Sequence, residues 1–460
     1  MTARLPKFSL ALLAVLVATA GACSPGIGGG SSRPNIILVI TDDQTLGTVS
    51  RETMPNTWRW LWQGGRTYPN FSISDPLCCP SRMTVMTGRY AHNTGVIDNL
   101  SSKISFHPDM RSTVQCYLED AGYRTAFFGK FLNGWDFHRR PPCLDRYAIT
   151  PGERHYGLRF LTNDGAVQPS GWDDTYVTGH ATNFLQTQTG DGPWFMTVSF
   201  MSPHSPYTPL PAVADAPVPP PHIGPAVGQT DLSGLYPVVR RHAKVPTYDT
   251  RIWDGQIRML RTVDAEMEQI RKALEATGDA DNTLVIYMSD NGLLLGEHRL
   301  VGKRLPYPEA TDVPFAVSDP GVIQGGSVDD RLTSNVDVTP TILAAARVDN
   351  GLRYPLDGYS LLDSKWKRKM QYGESYNVRP DKHWEPPWRS IRTPDYQFIE
   401  WLSQTFPEHT VWREYYDLRT DPYELHNLLH DDSTANDPPA QRLHDKLVKA
   451  AFCAGHPSCP

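Results

Sequence analysis

The chain has 460 residues, with 44 Lys and Arg against 50 Asp and Glu, a net charge of −6. That length allows two or three domains, or one large domain with an appendage, and a core that needs no disulfide staples. A composition of 40% hydrophobic and 20% charged residues excludes wholesale disorder and a multi-span membrane protein, and the slight acidity offers no footprint for nucleic acid. In chain order, residues 1–22 read as an export signal. Arg4 and Lys7 give a positive start, and Phe8 to Ala20 is an apolar run too short to span a bilayer comfortably. Ala20-Gly21-Ala22 then puts small residues before Cys23, and residues 23–33 form a Gly/Ser-rich flexible tether. Cys23 has two readings. It is the lipid-modified first residue of a lipoprotein, or it follows an ordinary signal-peptidase cut. Either way the chain is exported, which permits disulfides. Cys453 with Cys459 closes a short loop and Cys116 with Cys143 is a second candidate pair, while the adjacent Cys78-Cys79 needs its own account.

Five β-rich apolar runs have strand length: Ile36 to Ile40, Thr125 to Phe128, Phe195 to Phe200, Thr283 to Met288 and Val313 to Val317. Between them, Ile257, Leu260, Val263, Met267, Ile270 and Leu274 recur at steps of three and four, a helix stopped by Gly278. Buried strands alternating with amphipathic helices predict an α/β fold, with a large, mostly parallel central sheet flanked by helices over residues 34–372. Pro203 to Pro246 is proline-dense and reads as a long surface excursion. Residues 373–460 read as a smaller antiparallel α+β subdomain, with short strands at Tyr396 to Trp401 and Glu414 to Leu418 and a closing helix near Gln441 to Phe452.

Two strand ends carry acids. The first strand runs into Thr41-Asp42-Asp43-Gln44 and a later one into Ser289-Asp290-Asn291-Gly292. Ligands of open α/β sheets gather outside the carboxyl ends of strands. Asp42, Asp43, Asp290 and Asn291 make an all-oxygen set suited to one hard divalent cation, Ca²⁺ before Mg²⁺. Between these strands lies Cys78-Cys79-Pro80-Ser81-Arg82, followed by Thr87-Gly88-Arg89. This resembles the C-x-P-S-R…T-G-R hallmark of the sulfatase family. Further matches follow in order: Gly129-Lys130, Ser202-Pro203-His204-Ser205-Pro206, Gly296-Glu297-His298, Gly302-Lys303-Arg304 and Asn335-Val336-Asp337-Val338-Thr339-Pro340-Thr341. The resemblance extends from Arg33 to about Asn427. Cys78-Cys79, Tyr90-Ala91-His92-Asn93 and Gly129-Lys130-Phe131-Leu132-Asn133 look most like the glucosamine-6-sulfatase branch, which includes the extracellular heparan sulfatases.

The resemblance implies a sulfuric ester hydrolase acting on a sulfated small molecule or glycan. It implies that a dedicated enzyme oxidises Cys78 to formylglycine, whose hydrated aldehyde attacks sulfur with one hydroxyl and expels sulfate with the other. A helix starting after Pro80 would favour the sulfate's negative charge. The cation, also touched by residue 78, acts as a Lewis acid. Arg82 orients the hydrate; Lys130, Lys303 and His204 neutralise the sulfuryl oxygens; His204 or Lys303 protonates the departing oxygen. Arg304 is read as a surface neighbour, and His298 as structural or catalytic.

Two departures stand out. Leu132, followed by Asn133, occupies the place of a His found in many sulfatases, and Asp312 stands where many carry a basic residue, which weighs against a highly anionic polymer. Arg240-Arg241-His242-Ala243-Lys244 and Lys365-Trp366-Lys367-Arg368-Lys369 are read first as solvated faces, with a grip on sulfated polysaccharide as the alternative. Two competing functions are a phosphodiesterase or phosphonate hydrolase of the same superfamily, and a non-catalytic lipoprotein that binds sulfated glycans.

Overall fold

The computed structural model describes residues 33–99, 108–188, 192–377, 380, 382–405 and 409–460. The export signal, Cys23 and the tether as far as Ser32 lie outside them. Strand β1, Asn35–Thr41, is buried at every position. Its side chains alternate between two apolar layers. Ile37 and Val39 pack with Val177, Phe184, Leu260 and Met267, and Ile36, Leu38 and Ile40 with Val85, Leu118 and Ile342. A strand covered on both faces has no polar side to show, hence its unbroken apolar run.

The remaining strands of the large sheet are β2 (Arg66–Thr67), β3 (Arg124–Lys130), β4 (Arg146–Thr150), β5 (Phe160–Thr162), β6 (Gly165–Val167), β7 (Trp194–Ser199), β8 (Thr283–Ser289), β9 (Phe315–Ser318) and β10 (Ser327–Val328). They lie in the order β10-β2-β9-β8-β1-β7-β3-β4-β5-β6. The centre, β8-β1-β7-β3-β4, is parallel throughout. The run expected as a strand at Val313 to Val317 is β9, which pairs antiparallel with β8, and β5 and β6 are antiparallel at the other flank.

Helices α1 (Cys78–Thr87), α2 (Val114–Asp120), α3 (Asp173–Gln186), α4 (Thr250–Thr277) and α5 (Val338–Ala345) flank the sheet. The Asp249 side chain accepts from the backbone N–H groups of Arg251 and Ile252 to start α4, and Gly278, at φ 81°, ends it. The predicted stripe from Ile257 to Leu274 is buried along its length, each large side chain contributing roughly 1.5–3 kcal/mol.

A second, four-stranded antiparallel sheet follows: β11 (Gln371–Ser375), β12 (Trp388–Arg392), β13 (Tyr396–Leu402) and β14 (Thr410–Asp417), in that order. Helix α6, Ala440–Ala451, sets Leu443 and Leu447 against Tyr372, Ile391 and Phe398 on one face. Trp388, Trp401 and Tyr416 on the other face pack with Leu300 and Tyr307. This small sheet thus shares its core with the preceding chain, and Arg33–Pro460 form one compact unit. Cys116–Cys143 and Cys453–Cys459 are disulfides, and Cys78 and Cys79 are free, buried thiols. Among the described residues, no helix is long and apolar enough to cross a membrane.

Candidate active site

Strand register sets the site. Thr41 pairs with Ser289, and Ser199 pairs with both Ile40 and Gly129, so Asp42, Asp290 and Lys130 emerge at one level at the carboxyl ends of β1, β8 and β3. Gly129 makes this possible. Its φ is +109° and a Cβ there would stand 1.8 Å from the Ser199 carbonyl oxygen, so no other residue lets β3 approach β7 this closely. Asp43 adopts a left-handed φ of 60°, a strained conformation of the kind stored at functional sites. Its N–H donates to Asp290 Oδ1 at 3.1 Å, and Gln256 Nε2 donates to its carbonyl at 2.8 Å.

Helix α1 begins at Cys78, three residues earlier than the sequence predicts. Pro80 is tolerated because the first N–H groups of a helix have no intrahelical partner. Cys78 is 0% exposed; its Sγ lies 3.8 Å from Asp42 Oδ1 and 3.1 Å from Lys303 Nζ. One turn on, buried Arg82 donates from Nε to Asp290 Oδ2 at 2.8 Å, and from Nη1 to the Lys130 carbonyl at 2.9 Å and Ser199 Oγ at 2.7 Å. The helix carrying Cys78 is thereby tied to the ends of β8, β3 and β7.

Two lysines and a histidine face the acids. Lys130 Nζ is bonded to Asp42 Oδ2 and lies 3.1 Å from Glu153 Oε1. Lys303 Nζ lies 2.5 Å from Asp43 Oδ1. His204 Nε2 stands 3.5 Å from Asp43 Oδ2 and 3.8 Å from Glu153 Oε2. All nine residues singled out in the sequence therefore converge. Glu153, in the loop after β4, was missed; it also accepts from Asn133 Nδ2.

The electrostatics are those of crowded charge. Burial, then Asp290, push the Asp42 carboxyl up to about 6 against the pull of Lys130. Burial also opposes ionisation of Asp43, but Lys303 and His204 outweigh it and hold that carboxyl well below its usual range. Burial works against the Lys130 charge, yet Asp42, Cys78 and Glu153 keep it firmly protonated. Glu153 is held down to about 2, burial being overcome by Lys130 and His204. Burial pushes the Cys78 thiol up, so as a cysteine it is a poor nucleophile at neutral pH.

The residues present fit a hard cation. Ligand atoms of Asp42, Cys78 and Asp290 all lie within 4.8 Å of one another, as do those of Asp42, Asp43 and His204. Buried Asn291 Oδ1 has no hydrogen-bond partner, although Asn291 Nδ2 donates to Asp43 Oδ1 at 2.7 Å. Three carboxylates and an orphaned amide oxygen are a cradle of the type that oxygen-seeking ions take.

One expectation changes, that of Arg304, and two others are narrowed. Arg304 is buried and pairs with Asp98 at 3.2 Å instead of lying on the surface. His298 is structural. It is buried, 3.0 Å from Gln229 Oε1, with its ring over Tyr307. Asp312 does not face the lysines of the site; it interacts with Ser72, Thr311 and Arg392. Leu132 joins the apolar cluster of Phe131 and Met83.

The chain matches the sulfatase family over residues 34–348 and the C-terminal region of N-sulphoglucosamine sulphohydrolase over residues 296–451. An extracellular sulfatase SULF-1 homolog of Drosophila melanogaster is 31% identical over 359 residues, 72% of this chain but 31% of that protein's length. Human N-acetylglucosamine-6-sulfatase is 28% identical over 99% of this chain and 91% of its own. A solved structure in complex with its substrate, D-glucosamine-2-N,6-O-disulfate, has the same fold, with a TM-score of 0.76 at 24% identity over 91% of this chain and 97% of that one. A family match across most of the sequence thus coincides with a cysteine, two lysines and an acidic cradle at the carboxyl ends of a parallel sheet: the chain belongs to the sulfatase family.

Proposed function

We propose that this protein hydrolyses sulfate monoesters of sulfated sugars, using formylglycine made from Cys78 and one divalent cation, Ca²⁺ in preference to Mg²⁺. The observation that carries the reading is the position of Cys78 Sγ, 3.1 Å from Lys303 Nζ and 3.8 Å from Asp42 Oδ1. Position 78 therefore meets an ammonium on one side and the acidic cradle on the other. The names of the human relative and of the substrate in the solved complex support a sulfated glucosamine.

Asp42, Asp43, Asp290 and Asn291 Oδ1 would hold the cation, with residue 78 beside it, and the ion supplies Lewis acidity. Formylglycine at position 78 would, as its hydrate, supply a nucleophilic hydroxyl and a second hydroxyl on the same carbon for release. Lys130 and Lys303 set two fixed positive charges where charge builds on the sulfuryl oxygens. His204 and Lys303 are the proton donors for the departing alcohol oxygen. Arg82 positions the helix that bears residue 78, and Glu153 positions Lys130 and Asn133. The same reading includes export directed by residues 1–22, a tether over 23–33 that carries a lipid on Cys23, a catalytic domain over 34–372 and a subdomain over 373–460. A dedicated oxidising enzyme is its maturation partner.

Mass spectrometry of the peptide containing Cys78, paired with sulfate release from glucosamine 6-sulfate, tests the reading. Aldehyde and turnover together support it. A free thiol in a protein that still releases sulfate would sink it.

A further inference from the structure

Away from the catalytic cluster, a groove of about 560 Å³ is lined by four lysines. Lys367 and Lys369 reach it from the segment before β11, and Lys446 and Lys449, three residues apart on one face of α6, from the other side. Lys367, Lys369 and Lys449 are exposed and Lys446 is half-buried. Among the described residues, none of the four has an ion pair or a side-chain hydrogen bond, and no Asp or Glu lines the groove. Arg368 between them pairs with Asp337 at 2.5 Å and also donates to the carbonyl of Pro460, which lines the groove.

The lining is not that of an ordinary solvated face. Trp366 stacks on Tyr359 with ring centroids 3.5 Å apart, and the Arg368 guanidinium sits 5.1 Å over Trp366. Tyr396, Thr393 and Ser458 add an aromatic ring and hydroxyls, and the Cys453–Cys459 disulfide ties down the wall formed by Pro457 and Ser458. Four ammoniums lining one groove repel one another, on a chain whose net charge is −6; an incoming polyanion relieves that repulsion and releases its own counterions. Aromatic and hydroxyl groups between spaced cations suit pyranose rings that carry sulfates at intervals. A lipid headgroup layer is flat and matches a concave site poorly.

We propose that this groove binds a stretch of sulfated polysaccharide and so holds a polymeric substrate while the catalytic cluster, with which it shares no residue, acts on one sugar of it. The proposal rests on the reading of sulfated sugars as substrate. Asp312 raises no objection, because its carboxylate is turned to Ser72, Thr311 and Arg392.

The test uses the full chain, immobilised heparin and the double variant Lys367→Glu/Lys449→Glu, with thermal unfolding as the folding control. The expected result is at least a ~10-fold loss of heparin affinity, and a log–log salt slope shallower by about two, one for each lysine removed. With matched substrates the loss appears as a raised KM for a sulfated polymer and not for glucosamine 6-sulfate. If no sugar releases sulfate while the heparin loss persists, the groove stands and the catalytic reading falls. Heparin affinity equal to that of the unsubstituted protein overturns the proposal. So does a variant that loses only its binding to phosphatidylglycerol vesicles, which would make the groove a lipid contact. Should the double variant unfold, Lys369→Ala is measured in the same way, with a slope shallower by about one expected.

Discussion

Lys303 Nζ stands 3.1 Å from Cys78 Sγ and 2.5 Å from Asp43 Oδ1, so one ammonium touches both the proposed nucleophile and the proposed metal cradle. Burial opposes its charge, but Asp43, then Cys78, keep it protonated. Lys303→Ala is expected to lower kcat by about 10²–10³, the usual effect of removing one preorganised donor from a developing anion. Sulfate release assayed at saturating substrate checks this, and a loss smaller than about threefold would remove Lys303 from the chemistry.

Cys78→Ala abolishes turnover and leaves folding intact. Alanine fills most of the volume of a buried cysteine, so the urea midpoint shifts by no more than about 1 kcal/mol in stability. Substantial sulfate release by this variant would count against the proposed nucleophile.

Arg82→Lys separates structure from chemistry. Lysine cannot reproduce the three bonds to Asp290, the Lys130 carbonyl and Ser199. Arg82 and Asp290 are both buried, and breaking such a pair costs about 3–5 kcal/mol. Equilibrium denaturation reads that loss directly.

Stability is expected to fall on the alkaline side. Burial pushes Glu414 up from 4.5 to about 7, and burial, opposed by Arg392, pushes Glu424 up from 4.5 to about 8. The folded state then binds more protons than the unfolded state between those values, so unfolding becomes easier as pH rises through them. Burial lowers His298 from 6.5 to about 4, which works in the opposite sense below 6.5. The net fall therefore emerges between about pH 6.5 and 8.5. Thermal midpoints across that window check it, and Glu424→Gln flattens the slope.

Chelation tests the cradle. Stripping divalent ions leaves Asp42 and Asp290 facing each other without a shared counter-ion, so both sulfate release and the thermal midpoint drop. Ca²⁺ restores both at lower concentration than Mg²⁺, because an all-oxygen set suits the larger ion, which demands less of its ligand geometry.

What the sequence disclosed depended on whether a function needs neighbours in the chain. Asp42-Asp43 and Asp290-Asn291 were legible because each pair directly follows an apolar strand, and sheet topology alone brings strand ends together. Arg82 was legible through the fixed spacing from Cys78. Glu153 was not: it follows β4 in an irregular loop, and only the crossing of that loop over Lys130 and Asn133 gives it a role. Gln256 was invisible for a similar reason, since it sits on the long helix α4 as an ordinary polar residue until its amide is seen holding the strained Asp43 carbonyl. Arg304 was misread because a basic residue beside a lysine looks solvated. Nothing local announces that Asp98 is waiting beneath it.

The zero exposure of Cys78 also dictates an order of events in the life of the molecule. Every residue of α1 is buried, and its arginine is clamped to three strand ends. No second enzyme can reach that sulfur once the helix has docked. On the proposed function, oxidation of Cys78 would precede consolidation of the core, while its segment is still a peptide another catalyst can grasp. On the same reading, a chain that folds too quickly, or is made where the modifying enzyme is missing, would be a stable but unfinished protein.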